Sequence, residues 1–347
     1  LVEPLRRLVI ALPQGIEMRR HWRLPLALAP VIARHVRRQL VEGDFDVLFA
    51  VYAFHTLSGL RVPEGMLSLY TSDATPTVYR TSEIGESFGS YLRLSRLADP
   101  LILRAERRVF NGVDLLLWPT DWLRDGAERH YALAPERARL VPWGAHVPPP
   151  DDRPDSAPPL SRAHPVRLLL VGRDWFAKGG PTACATMQAL KAAGQDCRLD
   201  VVGATPPEAF RGPGVQAHGA LDKSDPAQMA RFEALMRGAH FLVQPSFESY
   251  GFAFCEASAY GLPSLCLRQG GIPVREGVNG HALPRGSGPE AFARVIQGYL
   301  DTPERYAELR RRTRQEYETR LNWDAWGRAV RDIVQERLGH TAARQSG

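Results

Sequence analysis

Cysteine is scarce. The 347-residue chain has four, Cys184, Cys197, Cys255 and Cys266, all in its second half. No two form a C-x-x-C pair and no histidine stands at a zinc-ligand spacing, which argues against a disulfide framework or a cysteine-based zinc site and predicts reduced, buried thiols. Long apolar runs are missing too. The stretch Leu24 to Ala33 carries Pro25 and Pro30 and falls well short of the about 20 residues that a spanning helix needs. With no signal-peptide pattern near its start, the chain is expected to be cytoplasmic. The phosphate-binding signatures G-x-x-x-x-G-K-[ST] and G-x-G-x-x-G are also absent, so any nucleotide site must be built differently.

What is present is enough apolar material, 44% of the chain, for two hydrophobic cores. Lysine and arginine number 44 against 38 acids, a formal charge of +6, which favours anionic partners without choosing among them. Arg19-Arg20-His21-Trp22-Arg23, followed by Arg34, Arg37 and Arg38, suits peripheral contact with an anionic membrane, at the inner face for a cytoplasmic protein. Arginines at 310 to 312 and 314 are interleaved with acids and read as a solvated helix face rather than a nucleic-acid surface, so no nucleic-acid partner is expected.

Proline punctuates the middle of the chain. Pro148-Pro149-Pro150, Pro154 and Pro158-Pro159 resist both helix and sheet, and 148–165 is therefore expected as a linker. It divides an amino-terminal domain, 1–147, from a carboxy-terminal one, 166–320, with a final helix in 321–347 returning to the first domain. In the second half, apolar runs Val166–Val171, Leu199–Val202, Phe241–Gln244 and Ser264–Leu267 alternate with helical patterns, among them Pro181–Ala193, 226–239 and about Gly251–Tyr260. Strand, helix, strand in succession means parallel pairing, hence a doubly wound α/β domain. The first half carries weaker signals of the same kind, with strands expected at Leu8–Leu12, Asp46–Tyr52, Met66–Thr71, Asp114–Trp118 and Arg139–Trp143. The segments 303–320 and Trp323–Leu338 read as partly solvated helices.

The most informative stretch is Pro245 to Pro263. Its two carboxylates, Glu248 and Glu256, are eight positions apart. With a helix starting near Gly251, Glu248 falls in the loop and Glu256 more than a turn inside, a separation that fits two ends of an extended ligand. Between them, Ser249, Tyr250, Gly251 and Phe252 bring the unpaired N–H groups of a helix start, which favour an anion such as a diphosphate. Either glutamate alone would read as an ordinary loop or helix residue. Their place around a glycine turn at the carboxyl end of a strand is what points to a ligand.

Gly172-Arg173 and Lys178-Gly179-Gly180 stand in another such turn, where arginine supplies a bidentate fork and lysine a mobile point charge for a phosphate. Gly270-Gly271, after a third strand, have no side chains to keep a ligand from the backbone. Each of the two, alone, is also an ordinary loop.

Together these stretches resemble family 4 of the retaining glycosyltransferases, whose marks are a strand end, Glu-x7-Glu and Gly-x-Pro. Glu248-x7-Glu256 and Gly261-Leu262-Pro263 match in place, with Val171-Gly172-Arg173 and Lys178-Gly179 as the donor-phosphate loop and Gly270-Gly271-Ile272 with Gly277-Val278-Asn279-Gly280 as the next turn. The similarity extends over about 105–335, including Asp114 to Leu123 and Leu140 to Ala145. It implies an α/β fold of the GT-B type, two Rossmann-like doubly wound domains facing across a cleft. It also implies transfer of a sugar, with retention, from a UDP- or GDP-linked donor to an acceptor, with no cofactor and no metal. Arg173 and Lys178 would neutralise the leaving diphosphate, aided by N–H groups near Tyr250 and Gly251. Glu256 would take the ribose hydroxyls and Glu248 would face the transferred sugar, so that catalysis rests on electrostatic stabilisation.

The departures lie in the first half. Relatives open on a strand, a Gly-rich turn and a helix, whereas Leu1-Val2-Glu3-Pro4 is followed by a lone Gly15; that loop is expected to be missing, and an inactive sugar-nucleotide-binding or scaffold protein is the alternative this raises. Where many relatives carry a histidine, the chain has Asp73, a candidate for contact with donor sugar or acceptor and equally a turn or cap residue. His55 reads as a packing residue. A sugar-nucleotide epimerase would need acid/base residues from both domains, and none is apparent. The acceptor, whether lipid-linked, a glycan, a small molecule or a protein, has no readable code.

Overall fold

The computed structural model describes residues 9–12, 16–19, 23–83, 99–151 and 159–345. Gly15, Arg20, His21, Trp22 and residues 152–158 of the expected linker lie outside them. The chain divides into two compact units, one of Leu1–Val141 with Arg331–Gly347 and one of Pro142–Val330. The division therefore falls just ahead of the proline-rich segment, whose first residues belong to the second unit: Asp151 there pairs with Arg237 at 2.9 Å.

In the first unit, β1 (Val9–Leu12) and β2 (Ile16–Arg19) form an antiparallel pair of their own. Helix α1 (Arg23–Glu42) precedes a four-stranded parallel sheet of β3 (Val47–Val51), β4 (Leu67–Thr71), β5 (Leu115–Trp118) and β6 (Ala138–Leu140), paired in that order. Helices α2 (Phe54–Gly59), α3 (Pro76–Arg80), α4 (Asp99–Gly112) and α5 (Asp121–Tyr131) connect them. The strand expected to run to Trp143 ends at Leu140, because Pro142 has no N–H to continue the ladder. Trp143 instead joins the core of the second unit. His55, on α2, has its ring centroid 4.0 Å from that of Phe54, in keeping with a packing role. Inside this unit the buried Glu106 of α4 accepts hydrogen bonds from Thr77 N (3.1 Å), from the Thr77 hydroxyl and from Tyr131 Oη (2.9 Å), binding α3 and α5 to α4.

The second unit is a six-stranded parallel sheet. Its strands are β7 (Val166–Gly172), β8 (Cys197–Gly203), β9 (Val215–Gly219), β10 (Phe241–Val243), β11 (Ser264–Leu267) and β12 (Gly280–Leu283), in the spatial order β12-β11-β10-β7-β8-β9. Helices α6 (Gly180–Ala192), α7 (Pro226–Gly238), α8 (Phe252–Ala259), α9 (Pro289–Leu300), α10 (Pro303–Thr319) and α11 (Trp323–Gln345) complete the chain. The β7 run is apolar but for Arg167 because both faces are covered: Val166, Leu168 and Leu170 lie in one core, Leu169 in the other. Helix starts follow sequence punctuation. Asp225 caps α7 by accepting from Gln228 N at 2.9 Å, with Pro226 in the first turn.

Two of the α10 arginines depart from the solvated face expected for them. Arg311 and Arg312 do pair with Glu308 at the surface. Arg310, however, is buried beside the Ala239 carbonyl, and Arg314 Nη1 donates to Ala259 O at 2.5 Å, so the helix closes carbonyl ends of α7 and α8. All four cysteines are buried and unpaired, and burial pushes the Cys197 and Cys255 thiols up to about 12.

Candidate active site

The sheet order places the candidate residues. From β7 the chain builds outward through β8 to β9, then returns to the other side of β7 with β10. The order thus reverses between β7 and β10, and a ligand crevice of an open α/β sheet forms at the carboxyl ends of the strands flanking such a reversal. The turn after β7 carries Arg173 and Lys178; the turn after β10 carries Glu248 and leads into α8.

Glycines set how closely these turns meet. Gly172 lies under the aliphatic stem of Lys178, where any Cβ would collide with it. Gly179, at φ +77°, abuts Pro245: a Cβ there would come within 2.6 Å of the proline ring. The turn after β11 closes from the far side. Gly270, at φ +68°, leaves no room for a Cβ against Glu248 O, and Gly271 N donates to that same carbonyl at 2.7 Å. These two glycines hold the Glu248 backbone, so the Gly271 amide is already engaged.

The Glu248 carboxylate is mostly buried and collects its donors on one oxygen. Oε1 accepts from Lys178 Nζ, from Ser246 Oγ at 2.6 Å and from Gln244 Nε2 at 3.1 Å. Among the described residues no donor reaches Oε2. Arg173 is exposed, and its guanidinium has no protein partner among the described residues. Next along the chain, Gly251 adopts φ +82° as the cap of α8, with no side chain closing the helix start. The amides of that first turn favour an anion, and Arg173 stands in the neighbouring turn after β7. Tyr250 contributes through packing, its hydroxyl donating to Trp143 O at 2.5 Å and its ring 5.5 Å from that of Trp143.

Glu256 lies inside α8 and is buried. Burial raises its carboxyl, and the neighbouring Lys223 opposes this. Lys223, from the loop after β9, donates to Glu256 Oε1 at 2.5 Å and sits 4.3 Å from the Phe232 ring centroid. Lys223 is a residue that the motif pattern does not disclose, since the loop containing it has no recognisable spacing. The same holds for His146, while Gln244 and Ser246, at the strand end and inside the motif stretch, are given no role by the spacing of the two glutamates. The His146 ring is 4.1 Å from that of Phe252 at the start of α8, and burial, with Lys223 second, lowers its pKa. His218, near the end of β9, is engaged with its neighbour strand: Nε2 meets Asp200 Oδ1 at 2.7 Å.

Asp73 belongs to the first unit, in the turn after β4. It hydrogen-bonds the Tyr52 side chain, and desolvation followed by the Asp73 charge raises the Tyr52 hydroxyl. Tyr52 takes φ +55°, an uncommon backbone for a non-glycine residue, just past the end of β3. Both residues therefore stand at carboxyl ends of adjacent parallel strands.

Two α/β units with parallel sheets, one with charged residues in the turns at its sheet reversal, define a Rossmann-type protein. Residues 165–302 match the family described as Glycosyl transferases group 1. The chain is 30% identical over 306 residues to D-inositol 3-phosphate glycosyltransferase 1 of Catenulispora acidiphila, covering 83% of this chain and 71% of that protein. It belongs to the group 1 glycosyl transferases. With the D-inositol 3-phosphate glycosyltransferase of Streptomyces griseus the match is 35% over 111 residues, 31% of this chain and only 23% of the relative's length. Among solved structures, WaaG, a glycosyltransferase involved in lipopolysaccharide biosynthesis, aligns with TM-score 0.56 and 21% identity over 85% of this chain and 79% of that one. Anabaena Alr3699/HepE in complex with UDP-glucose aligns with TM-score 0.57 and 14% identity over 89% and 83%. The fold is the GT-B type.

Proposed function

We propose that the chain is a glycosyltransferase that moves a sugar from a nucleotide-sugar donor to an acceptor hydroxyl, with retention and without a metal. The carrying observation is the Lys178–Glu248 pair, which joins the turn after β7, where Arg173 also stands, to the turn that leads into the uncapped start of α8 at the reversal between β7 and β10. In this reading Arg173, Lys178 and the amides from Ser249 to Phe252 take the diphosphate, and they stabilise its charge as the bond to the sugar breaks. Glu256 takes the ribose, and the second oxygen of Glu248 faces the transferred sugar. The departing phosphate accepts the proton of the acceptor hydroxyl on the same face.

The solved HepE complex with UDP-glucose supports a UDP-linked donor. The names of the curated relatives put a phosphorylated polyol first among acceptors, with Tyr52 and Asp73 as the hydroxyl-binding candidates. Peripheral contact with an anionic membrane is supported by α1, where Arg34, Arg37 and Arg38 are exposed together with Val31 and Val41. Among the described residues no helix is long and apolar enough to cross a membrane. Failure to bind acidic vesicles at low salt would remove the membrane contact.

The test is thermal stabilisation by UDP, GDP, ADP and TDP, followed by transfer from the matching sugar nucleotide in EDTA with D-inositol 3-phosphate as acceptor. A donor at about 100 times its Kd adds roughly 2.7 kcal/mol, a shift of a few degrees. Product of retained anomeric configuration, formed undiminished in EDTA, is the expected result. Binding without turnover on any acceptor would leave an inert sugar-nucleotide-binding protein, and no binding at all would overturn the donor site.

A further inference from the structure

We infer that Lys223 is a positioning residue of the donor site: it ties one oxygen of Glu256 in place and leaves the other for a ribose hydroxyl. The inference rests on the donor site proposed above and extends it to a residue outside every recognised motif.

The geometry is specific. Lys223 Nζ lies 2.5 Å from Glu256 Oε1, with the Glu256 side chain 5% exposed and that of Lys223 33%. The ammonium is itself held by the face of Phe232 on α7, 4.3 Å from the ring centroid, so the lysine is fixed at two points rather than swinging in solvent. Among the described residues no other donor reaches Glu256, which leaves Oε2 for a ligand. A buried carboxylate without a partner gives up its charge. Of the other cations nearby, Arg237 lies over the Tyr260 ring at 5.2 Å and Arg320 pairs with Glu316, and neither acts on the Glu256 carboxyl, where Lys223 is the opposing charge. Glu233 of α7 bonds Tyr260 Oη at 3.1 Å, Cys255 bonds Tyr250, and His146 faces Lys223 with its pKa lowered. Lys223 is therefore the cation that favours the ionised form of Glu256 against burial, and an ionised carboxylate is the stronger acceptor for a hydroxyl.

The consequence is a pH dependence that appears only when the lysine is lost. Without Lys223, burial acts unopposed and Glu256 takes up a proton at higher pH, weakening its hold on ribose as the pH falls. Nucleotide affinity should be measured calorimetrically at about pH 8 and about pH 6 for the wild type, Lys223→Met, Lys223→Arg and Glu256→Gln, using the diphosphate that stabilises the wild type. The wild type, in which His146 titrates equally, should bind alike at both. Lys223→Met should bind about tenfold more weakly at the lower pH, with the loss in steady state falling on the donor KM rather than on kcat. Lys223→Arg should restore the flat profile, and Glu256→Gln should be weak and pH-independent. A Lys223→Met protein that melts as a folded chain and binds like wild type at both pH values would overturn the inference while leaving the donor site standing, provided Glu256→Gln is weakened. A wild type that binds none of the four diphosphates overturns the donor site and this inference with it.

Discussion

The Lys178 ammonium sits on the Glu248 carboxylate and joins the turn after β7 to the turn after β10, the two strands between which the sheet order reverses. The pair serves two ends at once. It shapes the crevice in the absence of ligand, and it presents a cation that a diphosphate can share, because Glu248 keeps Ser246 and Gln244 as further donors. Lys178→Met is expected to lower kcat/KM by about 10²- to 10³-fold, the usual cost of one charged donor to a developing anion. The melting temperature should change little, as the lysine is partly exposed. Equal losses in activity and stability would assign the pair a purely structural role.

Two glycines with the same backbone allow packing to be separated from conformation. Gly270 and Gly277 both have φ +68°. A Cβ on Gly277 meets nothing within 4 Å, whereas one on Gly270 meets the Glu248 carbonyl and the Phe247 ring. Gly277→Ala should therefore cost only the left-handed penalty, about 1 kcal/mol. Gly270→Ala adds overpacking and should cost about 2–4 kcal/mol in all, together with most of the activity, since Glu248 must move. Urea denaturation of the two variants, with a donor-binding measurement on each, checks both figures. Similar values for the two would mean that the turn after β11 yields without disturbing Glu248.

The second unit was legible in the sequence because a buried parallel strand is apolar on both faces. Val166–Val171 stands out for that reason, and Gly194, Gly261 and Pro263 mark the helix ends. Strands β9 and β12 escaped it. Val215–Gly219 is an edge strand with polar, exposed residues, and Gly280–Leu283 is short and follows a glycine turn. The motif residues around Glu248 were readable from spacing. Lys223 and His146 were not, since each reaches the site from a loop whose course depends on tertiary packing, and Gln244 and Ser246, though beside Glu248 in sequence, show their bonds to its carboxylate only in the folded turn. In α10, Arg310 and Arg314 look no different in sequence from Arg311 and Arg312; only the neighbouring carbonyls of Ala239 and Ala259 distinguish them.

The thiols offer a test of the second core. Cys184, Cys197, Cys255 and Cys266 are all buried, and burial raises each of them, Cys197 and Cys255 to about 12. Thiolate is the reactive form, so a thiol-specific reagent near neutral pH should label none of the four in the native protein and all of them in urea. Rapid labelling of the native chain would contradict the packing of β8, α6, α8 and β11 as described.

Glu106 predicts how the first unit responds to pH. It is buried among Thr77 and Tyr131, and burial raises its carboxyl above the ordinary value of 4.5, outweighing the hydrogen bonds that lower it. The sign follows from linkage. A carboxyl that is easier to protonate in the folded state than in the unfolded one adds stability at low pH, and that contribution disappears as pH rises from the ordinary value through the raised one. The stability of this unit should therefore fall as pH is raised above about 4.5 through the mildly acidic range. Glu106→Gln retains an acceptor for Thr77 and Tyr131 and cannot ionise, so it should flatten this dependence. Glu106→Ala removes the acceptor from buried donors and should cost about 1–3 kcal/mol at every pH. Amide hydrogen exchange across α3, α4 and α5 at several pH values reads the first unit separately from the second. A dependence that persists unchanged in Glu106→Gln would transfer the effect to another group.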